Sequence, residues 1–243
     1  MKESLYIVMP AYNEEENIRI VVDQWYPMLE YGSEESRLVI ADGGSKDNTL
    51  SILLELKKDH PRLIVFSKPG TDHGTKVLFL YRYAVKRQAD WIFQTDSDGQ
   101  TDPAEFPAFW ELRKSYDAIL GNRRKREDGF DRKVVEQFLK VFLFLFFGTY
   151  VPDANAPFRL MRASVVNKYL RLMWKNFDLP NAVLAASFSR YHEAVAYREI
   201  TFRPRQKGKN YMNLKRVFLI GIGSVRNFLK IRFRMDQFEK LCK

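Results

Sequence analysis

The chain has 243 residues, enough for one large domain or one domain with a smaller appendage, and its length requires no second domain. Hydrophobic residues at 46% and aromatics at 14% exclude a disordered chain, and no internal repeat or low-complexity tract is present. The formal charge of +10 suits an anionic partner, but from Arg203 onward twelve Lys and Arg stand against two acids, Asp236 and Glu239, so the excess belongs to the tail.

A single cysteine, Cys242, excludes an intramolecular disulfide. Met1 leads straight into a strand-like pattern without an apolar targeting region, so a cytoplasmic site is expected. The most hydrophobic stretch, Phe138 to Phe147, is broken only by Lys140 and falls short of the roughly 20 residues that span a bilayer. It can lie on a membrane but should not cross one.

In chain order, Leu5 to Met9, Leu38 to Ala41, Leu63 to Phe66, Trp91 to Gln94 and Ala118 to Leu120 read as strands. Between them Asn17 to Leu29, Thr49 to Lys58, Lys76 to Arg87 and Ala104 to Lys114 have helical length, with Asp47 and Asp102 placed as caps. The second half reads as a helix from Arg132 to Phe147, a strand from Ala156 to Met161, helices over Ser164 to Trp174 and Asn181 to Tyr191, and a strand from Ala194 to Phe202. A basic loop, Arg203 to Asn210, then precedes an amphipathic helix from Leu214 to Phe233. Alternating strands and helices predict an α/β fold with a mostly parallel sheet covered by helices on both faces.

Ligands of such sheets collect beyond the carboxyl ends of the strands. The polar clusters stand there: Pro10 to Glu15, Asp42 to Asn48, Lys68 to Gly74, Asp96 to Asp102 and Gly121 to Arg126. The sharpest is Asp96-Ser97-Asp98-Gly99-Gln100, which offers two carboxylates and an amide on one tight loop. Oxygen ligands suit Mg²⁺ or Mn²⁺, and two carboxylates suffice when a substrate diphosphate completes the shell. Taken alone, this loop reads as an acidic turn, and Asp42-Gly43-Gly44-Ser45 as a glycine turn before a capped helix.

Together the loops match a known pattern. Pro10-Ala11-Tyr12-Asn13-Glu14, then Asp42-Gly43-Gly44-Ser45, then His73-Gly74, then Asp96-Ser97-Asp98-Gly99-Gln100 resemble family 2 glycosyltransferases of the GT-A fold, over roughly Leu5 to Arg126. Within that family the chain looks most like the polyprenyl-phosphate group, the dolichyl-phosphate mannosyl- or glucosyltransferase type. That likeness rests on Gly121-Asn122-Arg123, Asp153 to Arg162 and Arg203 to Lys209. The resemblance implies that Pro10, Tyr12, Glu14 and Asp42 bind the nucleoside, with Asp96, and that Asp96, Asp98 and Gln100 hold the metal and diphosphate. Arg123, Arg132, Arg203 and Lys209 would then meet phosphates, with Arg205 and Lys207 of the same basic loop beside them. Gly43 departs from the family where a second acid is common, which leaves the base open, and Lys76-Val77 stands where small residues are commoner. The implied layout is a transferase domain over 1–210, with a nucleotide-sugar half (1–121) and an acceptor half (122–210), followed by a basic helical segment over 211–243.

A phosphate acceptor suits these residues, because a lipid phosphate is already an anion and needs positioning more than deprotonation. A hydroxyl acceptor on a lipid-linked or polysaccharide glycan would need a base, for which Asp178 is the candidate and Asp153 the second. The apolar and cationic tail and the Phe-rich stretch fit an anionic membrane surface, which implies a peripheral position on the inner face of the plasma membrane. The expected reaction is an inverting, metal-dependent transfer from a UDP- or GDP-sugar to a polyprenyl phosphate, inversion being implied by the resemblance. A nucleotidyltransferase lacks support, since no glycine-rich phosphate loop with a nearby Lys or Arg is found. A nucleic-acid-binding module is disfavoured, because the tail's cations alternate with apolar residues rather than aromatic platforms.

Overall fold

Among the described residues the apolar runs become seven strands: β1 (Leu5–Ala11), β2 (Arg37–Asp42), β3 (Leu63–Ser67), β4 (Trp91–Thr95), β5 (Ala118–Asn122), β6 (Phe158–Arg162) and β7 (Val195–Glu199). The computed structural model describes residues 2–67, 72–123, 130–204 and 225–237, the stretch 130–135 as backbone alone. The seven strands form one sheet in the order β3-β2-β1-β4-β6-β5-β7. β1 pairs in parallel with β2 and β4, and β2 with β3. β6 runs antiparallel to both β4 and β5, while β5 and β7 are parallel. Only β6 is therefore reversed, and the carboxyl ends of the other six lie along one edge.

The helices are α1 (Ile18–Trp25), α2 (Thr49–Asp59), α3 (His73–Lys86), α4 (Phe106–Leu112), α5 (Phe130–Phe147), α6 (Ala163–Leu170) and α7 (Pro180–Arg190). An eighth, α8, covers 225–237. Alternation along the strands divides the core in two. Val8, Val39, Ile92 and Leu120 face α3, α5, α6, α7 and α8, whereas Ile7, Ile40, Phe93 and Phe158 face α1, α2 and α4. Covering both faces explains why the strands read as continuous apolar runs, and each large side chain fully buried contributes about 1.5–3 kcal/mol. Phe228, Ile231 and Met235 of α8 are buried in the first of these cores.

Several expected boundaries move for local reasons. The helix expected from Asn17 to Leu29 breaks after Trp25 and continues as a 3₁₀ turn over Tyr26–Tyr31, because Pro27 supplies no N–H to an α-helical ladder. The same chemistry divides the fourth helix, where Pro103 opens a 3₁₀ turn (Pro103–Glu105) and Pro107 stands at the start of α4. Asp102 caps that turn by accepting from the Ala104 N–H at 3.0 Å. Asp47 is not the cap residue of α2, which is Asn48, yet its Oδ1 accepts from Thr49 N at 3.0 Å. α3 begins at His73, three residues before the expected start. α6 ends at Leu170 rather than running on to Trp174. β7 stops at Glu199, and Phe202 instead makes an isolated bridge to Thr101. The last helix runs to 237, past the expected Phe233, and its expected beginning at Leu214 lies outside the described residues.

Two contacts lock the functional edge. Gly74, in the first turn of α3, lies against the Asp178 carbonyl, where a β-carbon would stand 1.9 Å from that oxygen. Arg123, just past β5, donates from Nε and a terminal nitrogen to the two oxygens of Asp153 at 2.7 and 2.9 Å, and its backbone N–H adds a third bond at 3.2 Å. Asp153 is fully buried, and the Arg123 side chain is 8% exposed. Gly74→Ala is expected to lower stability by roughly 1–3 kcal/mol in urea unfolding, because the clash is with backbone. Asp153→Ala leaves a buried guanidinium unpaired and is expected to cost about 3–5 kcal/mol in the same experiment, well beyond a surface substitution.

Candidate active site

The loops after β1 and β2 are tied together by short-range polar chemistry. Asn13, whose positive φ of 53° suits an Asn in a turn, receives the Lys46 N–H at 2.8 Å, and its own N–H donates to Ser45 Oγ at 2.8 Å. Glu14 N donates to Thr49 Oγ1 at 2.7 Å, and Glu15 accepts from the Asn48 backbone and side chain at 3.0 and 2.9 Å. Asp42 ends β2 fully buried; its carboxylate accepts from Gly44 N at 2.9 Å and from Ser45 N and Oγ. Asp42 thus shapes the Gly43-Gly44-Ser45 turn, with Gly44 at φ 80°. Glu14 is also buried and accepts from Asn17 Nδ2 at 2.9 Å. The Pro10 side chain is buried within β1, and its contribution to the edge is a carbonyl that accepts from Ser97 Oγ at 2.9 Å.

Beyond β4 the Asp96 turn is held at both ends. Ser97 anchors it to β1, and Thr95 and Thr101 join across its base at 2.7 Å. Gly99 takes φ 71°, and Gln100 N donates to Asp98 Oδ1 at 3.1 Å. Asp96 Oδ1 receives Gln94 Nε2 at 3.2 Å and lies 3.7 Å from His73 Nε2. Gln100 is buried and its Nε2 donates to the Arg203 carbonyl at 2.7 Å, while Arg203 N donates back to Gln100 O at 2.8 Å. Its amide nitrogen therefore fixes the start of the basic segment to the acidic turn, a different task from the metal contact expected of it.

Among the described residues no group of three or more His, Cys, Asp or Glu side chains is arranged to hold a metal ion. Asp96 and Asp98, half-buried on one turn, offer a two-carboxylate oxygen set of the kind that a hard divalent cation shares with phosphate oxygens and water.

The remaining expected residues separate into distinct surroundings. Arg123 is consumed by Asp153 and packs its guanidinium 5.1 Å from the Phe202 ring centroid, so it stands as a buried support and not as an open cation for phosphate. For the same reason Asp153 is unsuited to be a base: it is fully buried and ion-paired. Arg203 lies at the edge and pairs with Asp102, retaining nearly half of its side-chain exposure. Arg132 sits on α5 with its side chain outside the described residues, and Arg205, Lys207 and Lys209 lie outside them altogether. Asp178 is exposed beside α3, and partial desolvation of its carboxyl, followed by repulsion from Asp72, raises its pKa. It does not cap α7, whose cap position is Leu179.

One participant carries no expected role. Lys76 on α3 is 4% exposed, donates to the Ala11 carbonyl at 2.8 Å and sits 5.4 Å from the Tyr12 ring centroid. Desolvation lowers its pKa, opposed by Asp42, Asp96, Glu14 and Asp72 in that order. Lys76 thus adds a buried positive charge beside the acidic loops, held by the Ala11 carbonyl. The available signal was its place in the buried stripe of α3, one turn before Leu80 and two before Ala84. His73 falls to about 4 through desolvation, then through the Lys76 charge, against the pull of Asp98. Half of its side chain remains exposed.

With this geometry in view, the likeness to known proteins is specific. The model of "Glycosyl transferase family 2" matches residues 6–170. The undecaprenyl-phosphate 4-deoxy-4-formamido-L-arabinose transferase of Proteus mirabilis is 24% identical over 188 residues, which are 76% of this chain and 56% of that protein. The protein of the same name from Photorhabdus laumondii is 23% identical over 185 residues, with the same shares. The chain therefore spans about half the length of these curated relatives. Among solved structures, glucosyl-3-phosphoglycerate synthase from Mycobacterium tuberculosis bound to UDP superposes with a TM-score of 0.66 at 17% identity, over 95% of this chain and 80% of that one. The same synthase with Mn²⁺, UDP-glucose and glycerol 3-phosphate gives 0.66 at 18%, over 94% and 80%. At such identities the likeness establishes the shared GT-A fold. The family model covers well over half of the sequence, and the chain belongs to glycosyl transferase family 2.

Proposed function

We propose that this chain moves a sugar from a nucleoside-diphosphate donor to a polyprenyl phosphate in a single inverting displacement at the anomeric carbon. The observation that carries the reading is the Asp96–Asp98 turn, pinned by Ser97 to β1 beside the loops bearing Tyr12, Glu14 and Asp42. Asp96 and Asp98 would hold Mg²⁺ or Mn²⁺, which when bound stabilises charge on the departing diphosphate. Tyr12 and the Asp42 turn supply the nucleoside end, and Lys76 keeps the acidic loops together by offsetting their mutual repulsion. UDP in the related synthase structures supports a UDP-sugar donor, and the names of the curated relatives support undecaprenyl phosphate as acceptor.

The acceptor phosphate is the nucleophile in this reading, so no base has to remove a proton. Arg203, fixed to the acidic turn through Gln100, would meet the acceptor anion, and the sequence adds Arg205, Lys207 and Lys209 directly after it. No helix among the described residues is long and apolar enough to cross a membrane. Phe138, Val141, Phe144 and Leu145 of α5 are all more than half exposed and form one stripe, and Leu229 and Phe233 of α8 are exposed beside Arg226 and Lys230. Apolar side chains ringed by cations suit an anionic bilayer surface on the cytoplasmic side, where the lipid acceptor would be met.

A second reading, transfer to a glycan hydroxyl, draws on Asp178, whose raised pKa and exposure fit a general base. Assay with undecaprenyl phosphate in anionic vesicles, against soluble sugar acceptors, separates the two. The proposal predicts metal-dependent turnover on the lipid phosphate, a fall of at least ~100-fold in Asp98→Ala, near-normal rates in Asp178→Asn, and weaker vesicle co-sedimentation of Phe144→Asp. Full activity in Asp98→Ala, or turnover confined to hydroxyl acceptors and abolished by Asp178→Asn, contradicts it.

A further inference from the structure

Behind the acidic turn lies a chain of buried polar side chains that the transfer itself does not use. Tyr81 on α3 donates its hydroxyl to Asn181 Oδ1 at 2.7 Å. Asn181, the second residue of α7, donates Nδ2 to Gln94 Oε1 at 3.0 Å, and Gln94 donates Nε2 to Asp96 Oδ1 at 3.2 Å. Tyr81 and Gln94 are fully buried, Asn181 is 2% exposed, and all three stand among apolar neighbours on β4, α3 and α7. Arg159, also fully buried, donates to the Asn181 carbonyl at 3.1 Å and to the carbonyls of Ala154 and Ala156. This holds the first turn of α7 in place from β6.

The direction of the chain is determined by its ends. Gln94 presents its NH₂ group to the Asp96 carboxylate, which turns Oε1 toward Asn181 and requires that amide to offer NH₂ in turn. Asn181 Oδ1 is then left facing Tyr81, whose hydroxyl stays a protonated donor because burial raises its pKa. Reversing any one amide would set oxygen against oxygen inside the core, at the cost of a buried unpaired acceptor. The chain therefore has one arrangement, and that arrangement aims an N–H at Asp96.

We infer that Gln94, Asn181 and Tyr81 are positioning residues that fix the plane of the Asp96 carboxylate for metal binding and link that carboxylate to α7. The inference rests on the assignment of Asp96 and Asp98 to a divalent cation. Outer hydrogen bonds of this kind set ligand orientation, and their loss commonly costs 10- to 100-fold in metal affinity. The route runs from the Asp96 turn into α7, which follows directly on Leu179 and on Asp178, the residue whose carbonyl lies against Gly74.

Binding of Mn²⁺ in the presence of UDP, read by electron paramagnetic resonance of the free ion, tests this without turnover. Gln94→Leu keeps side-chain volume and removes the donor; its Mn²⁺ dissociation constant is expected to rise at least ~10-fold, with metal-free UDP binding unchanged. Tyr81→Phe removes one hydroxyl at the far end and leaves the cleft untouched, and a smaller weakening in the same direction is expected. It carries the test by itself if Gln94→Leu does not fold. Wild-type Mn²⁺ affinity in Tyr81→Phe and in folded Gln94→Leu, with only the melting temperature lowered, overturns the inference and leaves the chain a structural element. Failure of the unmutated protein to bind Mn²⁺ with UDP sinks the metal assignment instead.

Discussion

Four carboxylates, from Glu14, Asp42, Asp72 and Asp96, act on one buried ammonium, that of Lys76, at the carboxyl edge of the sheet. The rest of the site follows from how that charge is confined. Parallel strands deliver their loops to one edge, so the acids meet there regardless of their distance in sequence. Glu14 and Asp42 are buried, which makes repulsion between them costly, and the fold answers with fixed hydrogen bonds: backbone N–H groups on Asp42, Asn17 on Glu14, and, on the half-buried Asp96, Gln94. Asp96 and Asp98 remain partly open on their turn, where a divalent cation and a diphosphate together would bring compensating positive charge and further acceptors.

The same edge carries the start of the basic segment proposed for the acceptor. Gln100 and Arg203 exchange two hydrogen bonds, and Thr101 bridges to Phe202, so the basic segment leaves from the acidic turn itself. Arg123 and Asp153, paired beneath Phe202, are the support under that junction. Opposite charges thus stand side by side at the cleft mouth, which is the arrangement a reaction between an anionic acceptor and a diphosphate leaving group calls for.

Much of this was legible in the sequence because it is local. Each strand run was followed by its polar loop, and the paired aspartates of the Asp96 turn, an acidic turn when taken alone, gained their meaning from the loops beside them. What escaped depends on contacts between distant residues. Arg123 read as a phosphate ligand because nothing nearby in sequence shows that Asp153, thirty residues on, takes up its guanidinium. Gln94 and Asn181 stood in the sequence only as the end of one strand and the start of one helix, since their bond spans 87 positions. Lys76 was visible as an exception to a family habit, yet its meaning appears only when α3 packs on β1 and carries the ammonium to Ala11. The antiparallel course of β6 was equally hidden, because a strand of five residues carries no mark of its direction.

The central claim is that Asp96 and Asp98 share one divalent ion with the donor's diphosphate. Crystals grown with Mn²⁺ and UDP, measured at a wavelength where manganese scatters anomalously, address it directly. The account predicts one strong anomalous peak within coordination distance of both carboxylates and of the diphosphate oxygens. UDP bound in the cleft with no manganese there, or manganese bound elsewhere with both aspartates uncoordinated, would contradict it.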